Sequence, residues 1–416
     1  MARNRTVVGL DVGTTKTCVV VGREYRDTQL HVLGIGTAPS LGLKGGQVVD
    51  IVQTIKAIDD AVMRAEEASE TRVRHVVAGI AGGHLQSHSQ HAELRLGADD
   101  PTVRPRHMNS IVRTAAAISL PAEREIAAVI PKTFSVDHLT DVLDPRGLTG
   151  RCLKVEAHVV TGATNAMTNL ERCVTGAGCE VRDRVLQPLA SAASCLTEDQ
   201  RREGAAVVDI GGGTTDVAIY VGDACWHIAV LPMGGALVTS DIARGLRLPL
   251  RVAEALKIQH GRADPYVDAD ESAVEVPGFD YGAPVAVRRR DLAQVIDARM
   301  EEIFSHVKDE IVRSGYYDVL TAGVALTGGG SLIPGLAAKA SEILELPVTL
   351  GRPQALWGLD EGMREPQFST AIGLTLMGAT PRPDHGWLDQ RPVRRAGGVL
   401  TSFGSWLRGL VAPAAA

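Results

Sequence analysis

No apolar run in this 416-residue chain approaches the ~18 residues a membrane-crossing helix needs, so any membrane contact is expected to be peripheral. The N-terminus passes from Arg3 and Arg5 straight into a strand-like segment carrying Asp11, and no signal peptide is expected. Strong charge of one sign is missing as well: a formal net charge of −6 leaves no electrostatic footprint for nucleic acid. Six cysteines (Cys18, Cys152, Cys173, Cys179, Cys195, Cys225) show neither a CxxC nor a framework spacing, which excludes a disulfide scaffold and suits a reducing cytosol. With 45% hydrophobic residues the chain can still bury substantial cores, and its length allows two or three domains.

What the chain does carry is one device used twice. Residues 8–21 (VGLDVGTTKTCVVV) and 208–221 (VDIGGGTTDVAIYV) each set an aspartate and a glycine turn with paired threonines between two apolar runs. A β-branched apolar run reads as a buried strand. The glycines that follow, Gly13 in one copy and Gly211, Gly212 and Gly213 in the other, let backbone N–H groups face a polyanion with no Cβ in the way. Thr14, Thr15, Thr214 and Thr215 add hydroxyl donors, and Lys16 adds positive charge for a β- or γ-phosphate. Asp11 and Asp209 would repel phosphate themselves but suit Mg²⁺ or its waters. Two copies about 200 residues apart imply two like domains facing one ligand.

These segments resemble the phosphate-1 and phosphate-2 loops of the actin, heat-shock chaperone and sugar-kinase superfamily, whose two lobes clamp ATP. Residues 324–335 (VALTGGGSLIPG), with Gly328, Gly329 and Gly330, resemble its adenosine motif. Glu254 and Lys257 are three apart on an expected helix and share a face. The resemblance implies that they line the adenine and ribose pocket. Gly234 and Gly235 precede another helix, whose N-terminus is placed to approach the nucleotide. The implied fold is α/β: an actin-like two-lobed ATPase fold of duplicated RNase H-like domains, with ATP and Mg²⁺ as ligands. Residues 185–196 (VLQPLASAASCL) match the superfamily's connecting helix. Many relatives carry a glutamate before this proline to orient the attacking water. Here it is Gln187, which can hold a water but cannot take its proton, so the catalytic positions are Gln187 and Asp209 and weak or no ATPase activity is expected.

Along the chain, Ile51, Val52, Ile55, Ile58, Val62 and Ala65 recur at helical spacing, and residues 73–80 read as a strand. From His84 to about Val160 the character changes, with Pro101, Pro105, Pro121, Pro131 and Pro145 punctuating the segment; it reads as an inserted α/β subdomain. His84, His88 and His91 fall within it, but on a strand His91 leaves the face shared by the other two, so no metal is assigned. Residues 260–290, with the acidic stretch DADESAVEVPG, read as an exposed subdomain edge. Leu292, Val295, Ile296, Met300, Ile303, Phe304, Val307 and Ile311 predict a long amphipathic helix. The expected organisation is a first lobe (1A) over 1–83 and 161–203 interrupted by the insert (1C) at 84–160. A second lobe (2A) covers 204–243 and 301–359 around a small subdomain (2B) at 244–300, and a helix at 360–380 returns to the first lobe.

The tail from Pro381 to Gly398 is a linker rich in Pro, Gly and Arg, and a C-terminal amphipathic helix at 399–411 is expected after it. Val399, Leu400, Phe403, Trp406, Leu407, Leu410 and Val411 form one stripe, with Ser402, Ser405 and Arg408 opposite. From Pro381 onward five arginines stand against two aspartates. A helix of some 13 residues is marginal in water, but on an anionic surface it gains apolar burial and roughly 1 kcal/mol per nearby basic residue, so folding and binding are coupled.

Phosphate loops, early insert, adenosine turn and Trp-bearing tail together resemble the FtsA family of bacterial cell-division proteins across nearly the whole chain. The resemblance implies an ATP-binding peripheral protein at the division site, on the cytoplasmic face of the inner membrane. It would polymerise there, bind the C-terminal tail of the tubulin-like protein FtsZ through subdomain 2B, and recruit later division proteins through subdomain 1C. PilM-like pilus adaptors share the insert, and MreB-like filaments share the lobes. A sugar or acid kinase would need an acceptor-site carboxylate distinct from Asp11 and Asp209. A heat-shock chaperone would need a substrate domain where only some 36 residues follow Thr380.

Overall fold

The β-branched runs flanking each glycine turn fold back on themselves as hairpins. In the computed structural model of the chain, which describes residues 5–25, 30–264, 272–279 and 284–379, Arg5–Val12 pairs antiparallel with Lys16–Glu24 and Ala205–Ile210 with Thr215–Val221. Each hairpin sits inside a five-stranded sheet. One sheet runs Glu180–Leu186, His75–Ile80, Arg5–Val12, Lys16–Glu24, Leu30–Pro39; the other runs Val348–Leu350, Val324–Thr327, Ala205–Ile210, Thr215–Val221, Ala224–Leu231. In both, an antiparallel strand extends the hairpin on one side and a parallel strand flanks the aspartate-bearing strand on the other. The order is the same because the same device opens each half, and the fold is α/β and actin-like.

The described residues divide into two compact units, one of 5–83, 169–182 and 186–379 and one of 84–168 with 183–185. The first unit holds both five-stranded sheets. Helix Ile51–Ser69 covers one of them, opened by Asp50, whose carboxylate accepts the Gln53 N–H at 3.0 Å. Its buried face is Thr54, Ala57, Ile58, Ala61, Val62 and Ala65. Ile51 and Val52, expected on that stripe, are 39% and 75% exposed: they occupy the first turn, and small residues carry the contact instead. The approach is close enough that a Cβ on Gly36 would stand 2.1 Å from the Ala61 carbonyl oxygen.

Two helices of small residues, Gln187–Cys195 and Ser369–Gly378, pack against each other in this unit. A Cβ on Gly373 would lie 1.8 Å from the Ala190 carbonyl oxygen, and one on Gly9 would lie 2.5 Å from that of Ala371. Contacts this tight leave no room for an added methyl group.

The predicted amphipathic helix is Arg289–Ser314, with Leu292, Ile296, Met300, Ile303, Phe304, Val307 and Ile311 buried and Val295 half-buried. It runs unbroken through residues 300 and 301, where a subdomain boundary was expected. The hairpin Ala273–Pro277 with Pro284–Arg288 leads into it, and Val276 and Val287 join the core that also holds Val208, Val217 and Leu326. One apolar stripe thus serves both the small subdomain and the second sheet.

The second unit is an antiparallel sheet in the order Gln86–Arg95, Cys152–Ala163, Arg124–Val136, Leu139–Val142, with helix Pro105–Ala115 burying Met108, Ile111 and Ala115. Arg184 joins it through an ion pair to Glu125 at 3.0 Å. His88 and His91 are exposed on the first of these strands. No helix among the described residues is long and apolar enough to cross a membrane. The linker, the stripe Val399, Leu400, Phe403, Trp406, Leu407, Leu410 and Val411, and Arg408 opposite it lie outside the described residues.

Candidate functional site

Both glycine turns are closed by the same bond. The Gly13 N–H donates to the Lys16 carbonyl at 3.0 Å, and the Gly211 N–H donates to that of Thr214 at 2.9 Å. The turns also face each other, since a Cβ on Gly212 would stand 2.6 Å from Thr15 Cγ2 and one on Gly213 would stand 2.4 Å from Thr14 Oγ1. Glycine at these two positions is what lets the loops converge.

Helix Gly235–Gly245 starts directly behind the second loop. Its first N–H groups, of Gly235 and Ala236, donate to the carbonyls of Gly211 and Gly212 at 2.9 and 2.8 Å. The helix start therefore braces the loop, because Gly234 has no Cβ to collide with the Gly211 carbonyl oxygen 2.6 Å away. Glu254 and Lys257 share a face of helix Leu250–His260, as their spacing predicts. Lys257 Nζ donates to Glu254 Oε2 at 2.7 Å, to Thr239 Oγ1 at 2.8 Å and to the Gly235 carbonyl at 3.1 Å, so the pair clamps that same helix start. The turn after Val324–Thr327 closes the group. Gly328, at φ +85°, would carry a Cβ only 2.2 Å from Asp209 Oδ1, Gly330 packs on Ile210, and Gly329 faces open space.

Acidic groups collect where these loops meet. Asp209 and Asp216 are direct cross-strand partners and both are buried. Asp209 Oδ2 accepts the hydroxyls of Ser191 at 2.5 Å and Thr370 at 2.8 Å, one from each central helix. Asp216 Oδ1 is buried without a hydrogen-bond partner. Gln187 Nε2 donates to Asp11 Oδ1 at 2.9 Å and lies over Gly79, where a Cβ would approach that nitrogen to 3.1 Å. Burial pushes the Asp11 carboxyl up to about 7, with the Lys16 charge opposing and Asp209 adding to the rise. Burial likewise raises Asp209 against the hydroxyl bonds of Ser191 and Thr370, and raises Asp216 further, helped by Asp209 and Asp11. Desolvated like charges of this kind call for a cation.

The hard carboxylate oxygens of Asp11 and Asp209 fit Mg²⁺ held through water. Among the described residues no three Asp, Glu, His or Cys side chains form a group that could grip a metal ion directly.

Several expected donors are directed elsewhere: the Gly13 and Gly211 N–H groups close their own turns, and the helix start at Gly235 and Ala236 bonds the second loop rather than facing a ligand. The Thr215 hydroxyl donates to the Met233 carbonyl at 2.8 Å, because Thr215 opens a core strand and faces inward. Lys16 Nζ donates to the Gln367 carbonyl at 2.7 Å and lies 4.2 Å above the Phe368 ring. Asp216, Ser191, Thr370, Thr239 and Gly79 were not anticipated as site residues. Asp216 alone carried a signal, as the acid that ends GGGTTD.

Residues 206–373 match the sequence model of the family described as "Cell division protein FtsA", and residues 82–161 match "SHS2 domain inserted in FTSA". The chain is 37% identical to cell division protein FtsA of Neisseria meningitidis over 97% of its own length and 98% of the relative's. It is 40% identical to that of Pseudomonas aeruginosa (91% and 91%) and 32% identical to that of Escherichia coli K12 (97% and 98%). Among solved structures it is similar to the PilM–PilN type IV pilus biogenesis complex, with a TM-score of 0.64, 20% identity and coverage of 91% of this chain and 100% of that one. It is also similar to MreB5 of Spiroplasma citri bound to ADP, with a TM-score of 0.52, 14% identity and coverage of 89% and 94%.

Proposed function

The chain belongs to the FtsA family of actin-like cell-division proteins, and from that membership we propose that its two glycine loops hold the phosphates of ATP as an assembly latch at the membrane. The observation that carries the nucleotide reading is the convergence of the loops, with Gly212 against Thr15 and Gly213 against Thr14. Backbone N–H groups and the Thr14 and Thr15 hydroxyls bind phosphate, Gly329 lies open beside the adenosine, and the Glu254–Lys257 pair holds the helix that braces the second loop. Mg²⁺, held through water by Asp11 and Asp209, supplies the charge that offsets phosphate. The similarity to an ADP-bound MreB supports a nucleotide between the lobes.

Gln187 cannot accept a proton from water, so turnover is slow and the bound nucleotide controls polymerisation. The filament lies on the cytoplasmic face of the inner membrane at the division site, held by the stripe from Val399 to Val411. Subdomain 2B takes the FtsZ C-terminal tail and the insert recruits later division proteins.

The test is co-sedimentation of FtsZ with anionic liposomes. FtsZ should pellet only with the full chain present, and should fail to do so when FtsZ lacks its last residues or when this chain ends at Gly398. Pelleting that is indifferent to either truncation overturns the tethering role.

A further inference from the structure

The segment LKGGQV is a minimal hairpin in which Leu43 pairs with Val48 and Lys44 with Gln47. Gly45 (φ +56°) and Gly46 (φ +76°) form its tip, both left-handed, as a two-residue hairpin turn requires. That tip is lodged against both phosphate loops. A Cβ on Gly213 would stand 3.1 Å from Gly45 N and Cα, and the Gly46 N–H donates to Thr14 Oγ1 at 3.4 Å. Gly46 is held from behind, where its own Cβ would lie 2.9 Å from Gly82 Cα. Three glycine turns from three places in the chain therefore meet at one point.

The hairpin meets the second loop at Gly213, whereas the adenosine turn meets the other end of it, at Asp209 and Ile210. The hairpin thus stands at the end of the cradle away from the adenosine. Charge balance there is unfinished: three acids, Asp11, Asp209 and Asp216, stand against the one ammonium of Lys16, which the Gln367 carbonyl holds in place. Lys44 adjoins the tip and is exposed, and its side chain makes no ion pair or hydrogen bond among the described residues. Its flexible stem carries a compact charge suited to phosphate.

We infer that this hairpin is a third wall of the phosphate cradle and that Lys44 is a ligand of the terminal phosphate. The inference rests on the ATP reading above.

The experiment is a titration of the full chain with ATP and with ADP, each with Mg²⁺, comparing the parent with K44Q, K44R and K56Q. Lys56 is exposed on helix Ile51–Ser69 and controls for loss of one positive charge. K44Q should weaken ATP by about tenfold, the size of one charge-assisted contact, and ADP by less than about twofold. K44R should retain most of the ATP affinity, and K56Q should match the parent. Parent-like ATP binding by K44Q, equal loss of ATP and ADP, or the same loss in K56Q each overturns the inference and leaves the ATP site standing. A parent that binds neither nucleotide overturns the ATP reading, and this inference falls with it.

Discussion

The side-chain amide of Gln187 donates to the carboxylate of Asp11 at 2.9 Å, tying the helix Gln187–Cys195 to the first glycine hairpin. An amide N–H is what a buried carboxylate accepts; a glutamate at this place would set two acids side by side. Glutamine here is matched to its neighbour, and its amide cannot take a proton from water.

Steady-state ATP hydrolysis by the full chain should accordingly fall well below the ~1–100 s⁻¹ of kinases. In Q187E the two carboxyls must share a proton, so Mg²⁺-dependent ATP binding should move to higher pH than in the parent. A coupled ATPase assay and titrations at several pH values check both. Kinase-like turnover by the parent contradicts the latch.

Stability should depend on pH through Asp11. Its folded-state pKa of about 7 lies above the ordinary 3.8, so between these values the folded chain binds more protons than the unfolded one. The stabilisation is present in full below about pH 4 and is lost as pH rises through about 7. Nucleotide-free protein should melt progressively earlier across that window, and D11N should lessen the slope, with Asp209 and Asp216 supplying the remainder. A parent and a D11N variant with identical pH profiles would disprove the shift.

Replacing Gly212 by valine drives a Cβ to 2.6 Å from Thr15 Cγ2 and parts the two loops. ATP affinity should drop by about 5- to 150-fold while the far-ultraviolet circular dichroism stays unchanged, because the collision costs about 1–3 kcal/mol at the site where phosphate binds. Undiminished affinity refutes the cradle.

G373A tests the crossing of the two small-residue helices. Its Cβ would meet the Ala190 carbonyl oxygen at 1.8 Å, a backbone atom that cannot swing aside. The expected loss is about 1–3 kcal/mol, seen as a melting point lower by roughly 2–4 °C per kcal/mol. An unchanged melting point would show that the crossing relaxes freely.

Much of this architecture was legible from local pattern. Strand and turn types around Asp11 and Asp209 followed from β-branched runs and glycines, and the register of Arg289–Ser314 followed from its apolar spacing. The misreadings share a cause. Ile51 and Val52 fit the helical period but fall in the first turn, and Thr215 looked like a phosphate donor but bonds the Met233 carbonyl. Period and composition say which residue types recur, not which neighbour each will meet. Ser191 and Thr370 lacked any signal, since small polar residues in helices are commonplace until an aspartate such as Asp209 lies beside them.

The sequence by itself determined the two hairpins, their glycine turns and the family, because these depend on interactions a few residues long and on residue identities in order. Only the tertiary structure decided that Gly212 faces Thr15, that Gln187 holds Asp11, and that the Leu43–Val48 hairpin joins them. Those contacts join segments far apart in the chain, Gln187 and Asp11 being 176 residues apart, and their geometry is set by how closely glycine and alanine let helices and loops approach.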